Sequence, residues 1–258
     1  MRVFLPLFAA TFTLLIHTYV CMEIIGGKEA IPHSRPYMAF LYTPVGNVAK
    51  VCGGTLINSR WILTAAHCLI NDATTIKLGL HSRSREDRYV QTFQVSKWRP
   101  HPHYNAETND NDIQLVQLSG KATLSYGVGT LKLPTTFSDV EPGTICESAG
   151  WGMTTNNEED GISDKLMEVS LPVESRKECA AVWKRLYNIT KNMMCTREPE
   201  GGKDACRGDS GGPLICHGEI RGVVSFGTKY CGHPRVPSVY AFINEDIDNW
   251  IKSEIEKK

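Results

Sequence analysis

Near the C-terminal end lies a glycine-rich segment with the residue types that nucleophilic catalysis needs. It runs from Gly208 to Gly212 as Gly-Asp-Ser-Gly-Gly, with Ser210 at its centre. Glycine permits backbone turns that are closed to residues with side chains. Such a turn can expose a serine hydroxyl and point backbone N–H groups at the same spot, where they would stabilise the oxyanion of an acyl transfer.

A serine hydroxyl is a weak nucleophile unless a base takes its proton, and two upstream residues could help. His67 lies in the motif Thr-Ala-Ala-His-Cys, and Asp112 follows Asn111. Histidine, with an ordinary pKa of about 6.5, is mostly neutral at pH 7, and a carboxylate on its second nitrogen would select the right tautomer. Taken singly, each residue has an ordinary structural explanation, such as a turn. In the order His, Asp, Ser they predict a catalytic triad.

The glycine-rich segment, the Thr-Ala-Ala-His-Cys motif and the order of the triad resemble the chymotrypsin-like serine peptidases, which have the trypsin fold. The resemblance covers residues 24–258. It implies an all-β chain of two six-stranded antiparallel β-barrels with a C-terminal helix and the active site between the barrels. His67 and Asp112 would come from the first barrel and Ser210 from the second. The backbone N–H groups of Gly208 and Ser210 would form the oxyanion hole.

The pattern of the chain also favours β-barrels or a sandwich. Short runs rich in β-branched and aromatic residues are bounded by Gly, Pro and Asn; examples are residues 51–57, 74–80, 90–98, 166–173, 220–226 and 238–243. Two helices are predicted as well, one over residues 175–187 and one that begins at Asn244 as its cap. Their apolar faces would consist of Cys179, Val182, Trp183 and Leu186 in the first helix, and Ile247, Trp250, Ile251 and Ile255 in the second.

The N-terminus has the pattern of a secretory signal peptide. Arg2 precedes an apolar run of about a dozen residues, which is too short to span a bilayer comfortably. We expect residues 1–21 to be a signal peptide, residues 22–23 an activation dipeptide and residues 24–258 the peptidase domain. The product is expected to be soluble and secreted.

The cysteine count indicates disulfides. Nine cysteines are present, and Cys21 precedes the expected mature start, which leaves eight. Four disulfides could pair in 105 ways, and no two cysteines have the short spacing of zinc ligands. The family resemblance implies one set of pairs: Cys52–Cys68, Cys146–Cys216, Cys179–Cys195 and Cys206–Cys231.

Charge and composition favour neither nucleic acid nor membrane as a partner. The chain has 28 basic and 28 acidic residues, a formal net charge of zero. His101 and His103 flank a proline without a nearby carboxylate, and we interpret them as loop residues. Some relatives bind calcium through an acidic loop, but the matching residues 80–89 carry three arginines here. We expect no metal and no cofactor.

The resemblance also implies a substrate pocket. Asp204 lies six residues before Ser210, where trypsin-like members place a carboxylate at the pocket floor, so cleavage should follow Arg or Lys. Ala205 lacks the hydroxyl that would help solvate a lysine ammonium, which favours Arg. Ser238 stands where these members usually have glycine and would narrow the slot. The expected lining is Asp204, Ala205, Ser225, Phe226, Gly227 and Ser238.

Within the family, the motifs Ile-Ile-Gly-Gly-Lys, Pro-His-Ser-Arg-Pro-Tyr-Met and Ser-Phe-Gly look most like granzymes A and K. That likeness implies storage in cytolytic granules, selective protein substrates and protein inhibitors. All eight remaining cysteines have expected partners within the chain, which favours a monomer. The alternatives are a secreted tryptase of another kind and a non-catalytic binding relative. Asn188, in Asn-Ile-Thr, is a candidate glycosylation site.

Activation should require cleavage before Ile24. In the family resembled here, the new α-amino group of that isoleucine pairs with the aspartate before the serine, which is Asp209. The preceding residue is Glu23, which an enzyme with Asp204 in its pocket would repel. We therefore expect a dipeptidyl peptidase, rather than the enzyme itself, to remove residues 22–23.

Overall fold

Two antiparallel β-barrels make up most of the computed structural model, which describes residues 24–257. The expected signal peptide and activation dipeptide lie outside the described residues. Within those residues, none of the helices is long and apolar enough to cross a membrane.

The first barrel closes in the order β2-β3-β4-β7-β6-β5. A short N-terminal strand, β1 (Lys28–Glu29), precedes it and pairs instead with the second barrel. The six barrel strands are β2 (Met38–Val45), β3 (Val48–Asn58), β4 (Trp61–Thr64), β5 (Thr75–Leu78), β6 (Gln91–Pro100) and β7 (Gln114–Leu118).

The second barrel closes through the pairing of β8 with β9, in the order β9-β10-β13-β12-β11-β8. Its strands are β8 (Ile145–Gly150), β9 (Met167–Glu174), β10 (Met193–Thr196), β11 (Pro213–Cys216), β12 (Glu219–Phe226) and β13 (Ser238–Phe242). The predicted architecture of two six-stranded barrels is therefore confirmed. Strand β9 shows the cause most clearly, because it alternates buried and less buried residues with the period of two that places one face on a core.

One of the two predicted helices is confirmed, and the other is shorter than predicted. Helix α2 (Glu245–Glu256) begins as predicted, with the Asn244 side chain accepting a hydrogen bond from the Ile247 N–H at 3.0 Å. Helix α1 (Arg176–Trp183) ends well before residue 187. The predicted apolar face of α1 is wrong in part, because Val182 and Leu186 are exposed.

The shorter helix explains the error at Leu186, whereas Val182 lies within the helix. Cys179 and Trp183 lie one turn apart and are buried, which is the spacing of neighbours on one helix face. Val182 lies off that face, and Leu186 lies beyond the end of the helix.

All four disulfides implied by the family resemblance are present. They join Cys52 to Cys68, Cys146 to Cys216, Cys179 to Cys195 and Cys206 to Cys231. Two of them lie at the predicted site, since Cys68 follows His67 and Cys206 begins the loop that carries Ser210. Each bridge limits the freedom of the unfolded chain. For the three that close loops of 16 to 25 residues, this stabilises the fold by about 3 kcal/mol each.

Candidate active site

Three loops at strand ends bring the predicted catalytic residues to the junction of the barrels. His67 follows β4, Asp112 precedes β7, and Ser210 precedes β11. Strands β4 and β7 are hydrogen-bonded neighbours, with Thr64 opposite Gln114. This register places His67 and Asp112 together although they are 45 residues apart.

The carboxylate of Asp112 holds His67 by two hydrogen bonds. The His67 backbone N–H donates to Oδ1 at 2.9 Å, and its ring Nδ1 lies 2.7 Å from Oδ2. Asp112 is fully buried, so water does not weaken this contact. With Nδ1 donating to the carboxylate, the ring keeps Nε2 as its acceptor.

Ser225 completes the environment of this carboxylate. Its hydroxyl donates to Asp112 Oδ2 across 113 residues of sequence. The sequence predicted Ser225 only as a lining residue of the substrate pocket, which it also is. No local pattern indicates the second role, because it depends on how the end of β12 meets the loop before β7.

The loop of Ser210 is fastened to the first barrel by its backbone. The Gly53 N–H donates to the Ser210 carbonyl at 2.8 Å, and the Thr64 hydroxyl donates to the Gly53 carbonyl at 2.7 Å. Among the described residues, Ser210 Oγ and His67 Nε2 are not hydrogen-bonded to each other. In unliganded enzymes this bond is often long and shortens only when substrate binds.

Gly208 needs to be glycine for two reasons. Its φ of +99° is one that residues with side chains rarely adopt, and a Cβ there would lie 2.9 Å from both Gly152 Cα and Ile162 Cγ2. Within the described part of the chain, the backbone N–H groups of Gly208 and Ser210 make no hydrogen bond. They are therefore free to donate to a ligand, as an oxyanion hole requires.

Asp209 is the most deeply buried acid of this loop. Its carboxylate accepts hydrogen bonds from the Gly152 N–H at 2.7 Å and the Cys206 N–H at 2.8 Å. Burial raises its pKa to about 7, although these two hydrogen bonds act in the opposite direction. The carboxylate packs so closely on Gly150 and Gly152 that a Cβ on either would lie 2.1 and 2.4 Å from its oxygens.

A cavity of about 260 Å³ lies beside Ser210 and has Asp204 in its wall. All six residues predicted to line the substrate pocket line this cavity, namely Asp204, Ala205, Ser225, Phe226, Gly227 and Ser238. Further lining residues include Arg207 and Lys229.

The acid of this cavity is held by its neighbours. Asp204 Oδ2 accepts hydrogen bonds from the Ser238 hydroxyl at 2.8 Å and the Gly232 N–H at 2.9 Å. Burial raises the pKa of Asp204 to about 6, against the effect of these bonds. The Ser238 side chain thus contacts the carboxylate directly, which its sequence position did not reveal.

One group of metal-ligand residue types occurs among the described residues, formed by Cys52, His67 and Cys68. The two sulfurs are bonded to each other in a disulfide, so neither is a thiolate that could bind a metal. This group therefore offers His67 alone.

Ile24 and the predicted glycosylation motif lie in different environments. Ile24 is buried beside Met167, Val169 and Leu171, and it has φ +36°, which is uncommon for a β-branched residue. Asn188 is exposed at the surface.

Two β-barrels with a histidine–aspartate pair beside a glycine-bound serine define a serine endopeptidase of the chymotrypsin-like class. The family description "Trypsin" matches residues 24–251, and the chain belongs to the trypsin family. Granzyme A of Bos taurus is 41% identical over 237 residues, which cover 91% of this chain and 89% of that protein. Mast cell protease 3 of Ovis aries is 41% identical over 230 residues, 89% of this chain and 88% of that protein.

Granzyme B(G,H) of Mus musculus is 40% identical over 238 residues, which cover 91% of this chain and 92% of that protein. Relatives with different names therefore have nearly equal identity to this chain. Membership of the family implies protein substrates, and the choice of cleavage site must be argued from the pocket.

Gly211→Ala and Gly218→Ala form a matched test of the close contact between the barrels. The two glycines have φ values of +80° and +78°, so a Cβ should cause similar backbone strain of about 1–2 kcal/mol at each. Nothing lies within 4 Å of a Cβ at Gly218, but at Gly211 it would lie 2.1 Å from Thr64 Oγ1 and 2.6 Å from the Gly53 carbonyl oxygen.

We expect Gly218→Ala to lose only that amount in urea unfolding and to keep normal ester hydrolysis. Gly211→Ala should displace the serine loop and lose about 100-fold or more in kcat/KM, since small displacements of reacting groups have effects of this size. Equal activity of the two variants would contradict this account of the contact.

Proposed function

We propose that the chain hydrolyses peptide bonds through an acyl-enzyme on Ser210. The observation that carries the proposal is the buried Asp112 carboxylate, which holds His67 by both its backbone and its ring at 2.9 and 2.7 Å. His67 Nε2 would take the proton of Ser210 Oγ as that oxygen attacks the substrate carbonyl. The N–H groups of Gly208 and Ser210 would stabilise the resulting oxyanion.

The rest of the reaction uses the same groups. The imidazolium of His67 would give its proton to the leaving amine, which completes acylation, and neutral His67 would then accept a proton from the attacking water and give it to Ser210 Oγ as the acyl-enzyme is hydrolysed. The Asp112 carboxylate stabilises the imidazolium at each step, because it is charged, buried and in direct contact.

The substrate pocket supports cleavage after Arg, and less well after Lys. Asp204 is buried without a cationic partner within the described residues, and a guanidinium would supply one with two parallel donors. Ser238 and Gly232 both donate to Oδ2, and the guanidinium would use the acceptor positions of the carboxylate that remain. A shorter lysine ammonium would need a further polar group to reach this carboxylate, and Ala205 provides none.

The proposed setting is a secreted protease of cytotoxic granules, similar to granzymes A and K. The signal-peptide pattern at the N-terminus and the 41% identity to Granzyme A of Bos taurus support it. The protein would act as a monomer, since eight cysteines are paired within the chain. The exposure of Asn188 supports a glycan there, and protein inhibitors are expected to bind the site.

Activation by removal of residues 22–23 has support from the burial of Asp209. A carboxylate that is fully buried and has its pKa raised to about 7 favours a cation as its partner. The segment after Ile24 already lies against the pocket loop, because the Asp204 N–H donates to the Ile25 carbonyl at 3.0 Å. A new α-amino group on Ile24 would be that cation.

Covalent labelling tests the catalytic proposal. A serine-directed phosphonate should label the trimmed wild-type chain and fail to label Ser210→Ala. Asp112→Asn should label very slowly and lose on the order of 10⁴ in kcat, the size known for this replacement in a Ser-His-Asp triad. An unlabelled wild-type chain of native fold would favour a non-catalytic binding relative instead.

Matched peptide substrates test the specificity. With sequences that differ only at the cleaved residue, kcat/KM should be higher for Arg than for Lys, and Asp204→Asn should lose most of the activity on both. Equal rates for Arg and Lys, or preferred cleavage after Met or Phe, would contradict the proposed pocket.

The pH dependence of benzamidine binding provides an independent check, because this amidine needs the pocket acid but no proton transfer. Asp204 is ionised above its pKa of about 6, so affinity should be constant above that pH and fall about tenfold per unit below it. Asp204→Asn should bind weakly and show no such change with pH.

Two chains that differ only in residues 22–23 test the activation scheme. The chain Ile24–Lys258 should hydrolyse an Arg ester, and Met22–Lys258 should not. In the longer chain, the pKa of Asp209 is raised from its ordinary 3.8 to about 7, so stability falls as the pH rises between these values. The shorter chain should therefore have the higher Tm at pH 7.5, with a smaller difference at pH 5. Full activity of the longer chain, or its conversion by itself, would contradict the scheme.

A further inference from the structure

We propose that Arg83 is a positioning residue for the oxyanion loop, acting across the barrel junction through Ile162 and Ser163. The inference rests on the proposed oxyanion role of Gly208 and Ser210, and it adds a residue more than 100 positions away in sequence.

The guanidinium of Arg83 joins the two barrels. Its Nη1 donates to the carbonyls of Ile162 and Ser163, each at 3.0 Å. Its backbone N–H donates to the Asp164 carbonyl at 2.8 Å. Arg83 lies between β5 and β6 of the first barrel, and its three acceptors precede β9 of the second.

Residues 162–164 accept further hydrogen bonds from the neighbours of Arg83. The Asp164 carboxylate accepts from the Ser82 hydroxyl at 2.8 Å and from the Ser84 N–H at 2.7 Å. Arg83 and Asp164 therefore hold each other's loops from both sides. This reciprocal arrangement fixes the position of residues 162–164 more strongly than a single contact could.

From this segment, one route leads to Gly208. A Cβ on Gly208 would lie only 2.9 Å from Ile162 Cγ2, so the isoleucine methyl packs directly on the glycine that offers an oxyanion donor. Ile162 also forms a β-bridge with Met153, whose N–H donates to the Arg207 carbonyl at 2.8 Å. The peptide unit between Arg207 and Gly208, which carries the donor N–H, is thus held at its carbonyl end as well.

A second route leads to Asp209. The Ser163 N–H donates to the Gly152 carbonyl at 3.1 Å, and the Gly152 N–H donates to Asp209 Oδ1 at 2.7 Å. Both routes start at the residues whose carbonyls accept from Arg83, Ile162 and Ser163, and they end on consecutive residues of the oxyanion loop. Loss of the guanidinium should therefore move the donors without removing the pocket acid.

Arg85 provides a matched control from the same loop. It is exposed, and its guanidinium makes no hydrogen bond or ion pair with another described residue. Replacing either arginine by alanine removes one positive charge, so any difference between the variants reports on the contacts of Arg83.

The test uses Arg83→Ala, Arg83→Lys and Arg85→Ala in the trimmed chain, with two inhibitors. A peptide boronate ending in an arginine analogue needs the oxyanion donors, and benzamidine needs only the pocket. We expect Arg83→Ala to lose about tenfold in kcat and in boronate affinity, a fraction of the loss for removing one oxyanion donor. Its KM and benzamidine Kd should stay within about twofold, and Arg83→Lys should recover part of the loss.

Several results would overturn the proposal. They are wild-type kinetics for Arg83→Ala, equal weakening of boronate and benzamidine, and the same loss in Arg85→Ala. If Arg83→Ala does not fold, Arg83→Gln allows the same comparison because it keeps an amide donor. A wild-type chain that neither turns over substrate nor binds the boronate would instead refute the proposed function, before any variant is compared.

Discussion

The buried carboxylate of Asp209 is the constraint on which the site depends. It is fully buried, and its two oxygens accept the N–H groups of Gly152 and Cys206. A carboxylate in such a place must keep these partners, because an unpaired buried acid is costly. The residues on either side of it, Gly208 and Ser210, therefore have little freedom. Asp209, which is not exposed to substrate, therefore fixes the positions of the oxyanion donors and the nucleophile.

The absence of side chains is the second requirement for this arrangement. Gly53, Gly211 and Gly212 let the backbone of the serine loop lie directly on strand β3, where a Cβ on Gly53 would come within 3.0 Å of Gly212 Cα. The hydrogen bond from Gly53 to the Ser210 carbonyl becomes possible at this separation. Thr64, three residues before His67, donates to the Gly53 carbonyl. The contact between the barrels therefore also sets where the serine loop lies relative to His67.

Two of the three buried acids at the site, Asp204 and Asp209, have no cationic partner among the described residues. The pKa of Asp204 is raised to about 6 and that of Asp209 to about 7, in each case mainly by burial. Since a raised pKa makes the charged acid less favourable in the folded state, both residues lower stability at neutral pH. A substrate guanidinium would offset the first cost and a new α-amino group at Ile24 the second. Substrate binding and activation by removal of residues 22–23 would then both be favoured by the pairing of a buried carboxylate with a cation.

Much of this protein was already determined by local sequence. Runs rich in β-branched and aromatic residues predicted six of the strands, and Asn244 predicted the start of α2. The motifs around His67, Asp112 and Ser210 led through family resemblance to the barrels and the disulfide pairs. The predicted face of α1 was wrong at Leu186, because periodicity does not show where a helix ends, and at Val182, which lies within the helix but is exposed. Only the tertiary structure placed the Ser225 hydroxyl on Asp112, the Ser238 hydroxyl on Asp204 and the Arg83 guanidinium on the loop before β9. These contacts join residues far apart in sequence. The contacts of Ser225 and Arg83 exist because two closed barrels dock in one orientation, and the contact of Ser238 exists because β13 lies beside the Asp204 segment within the second barrel. No local pattern encodes either arrangement.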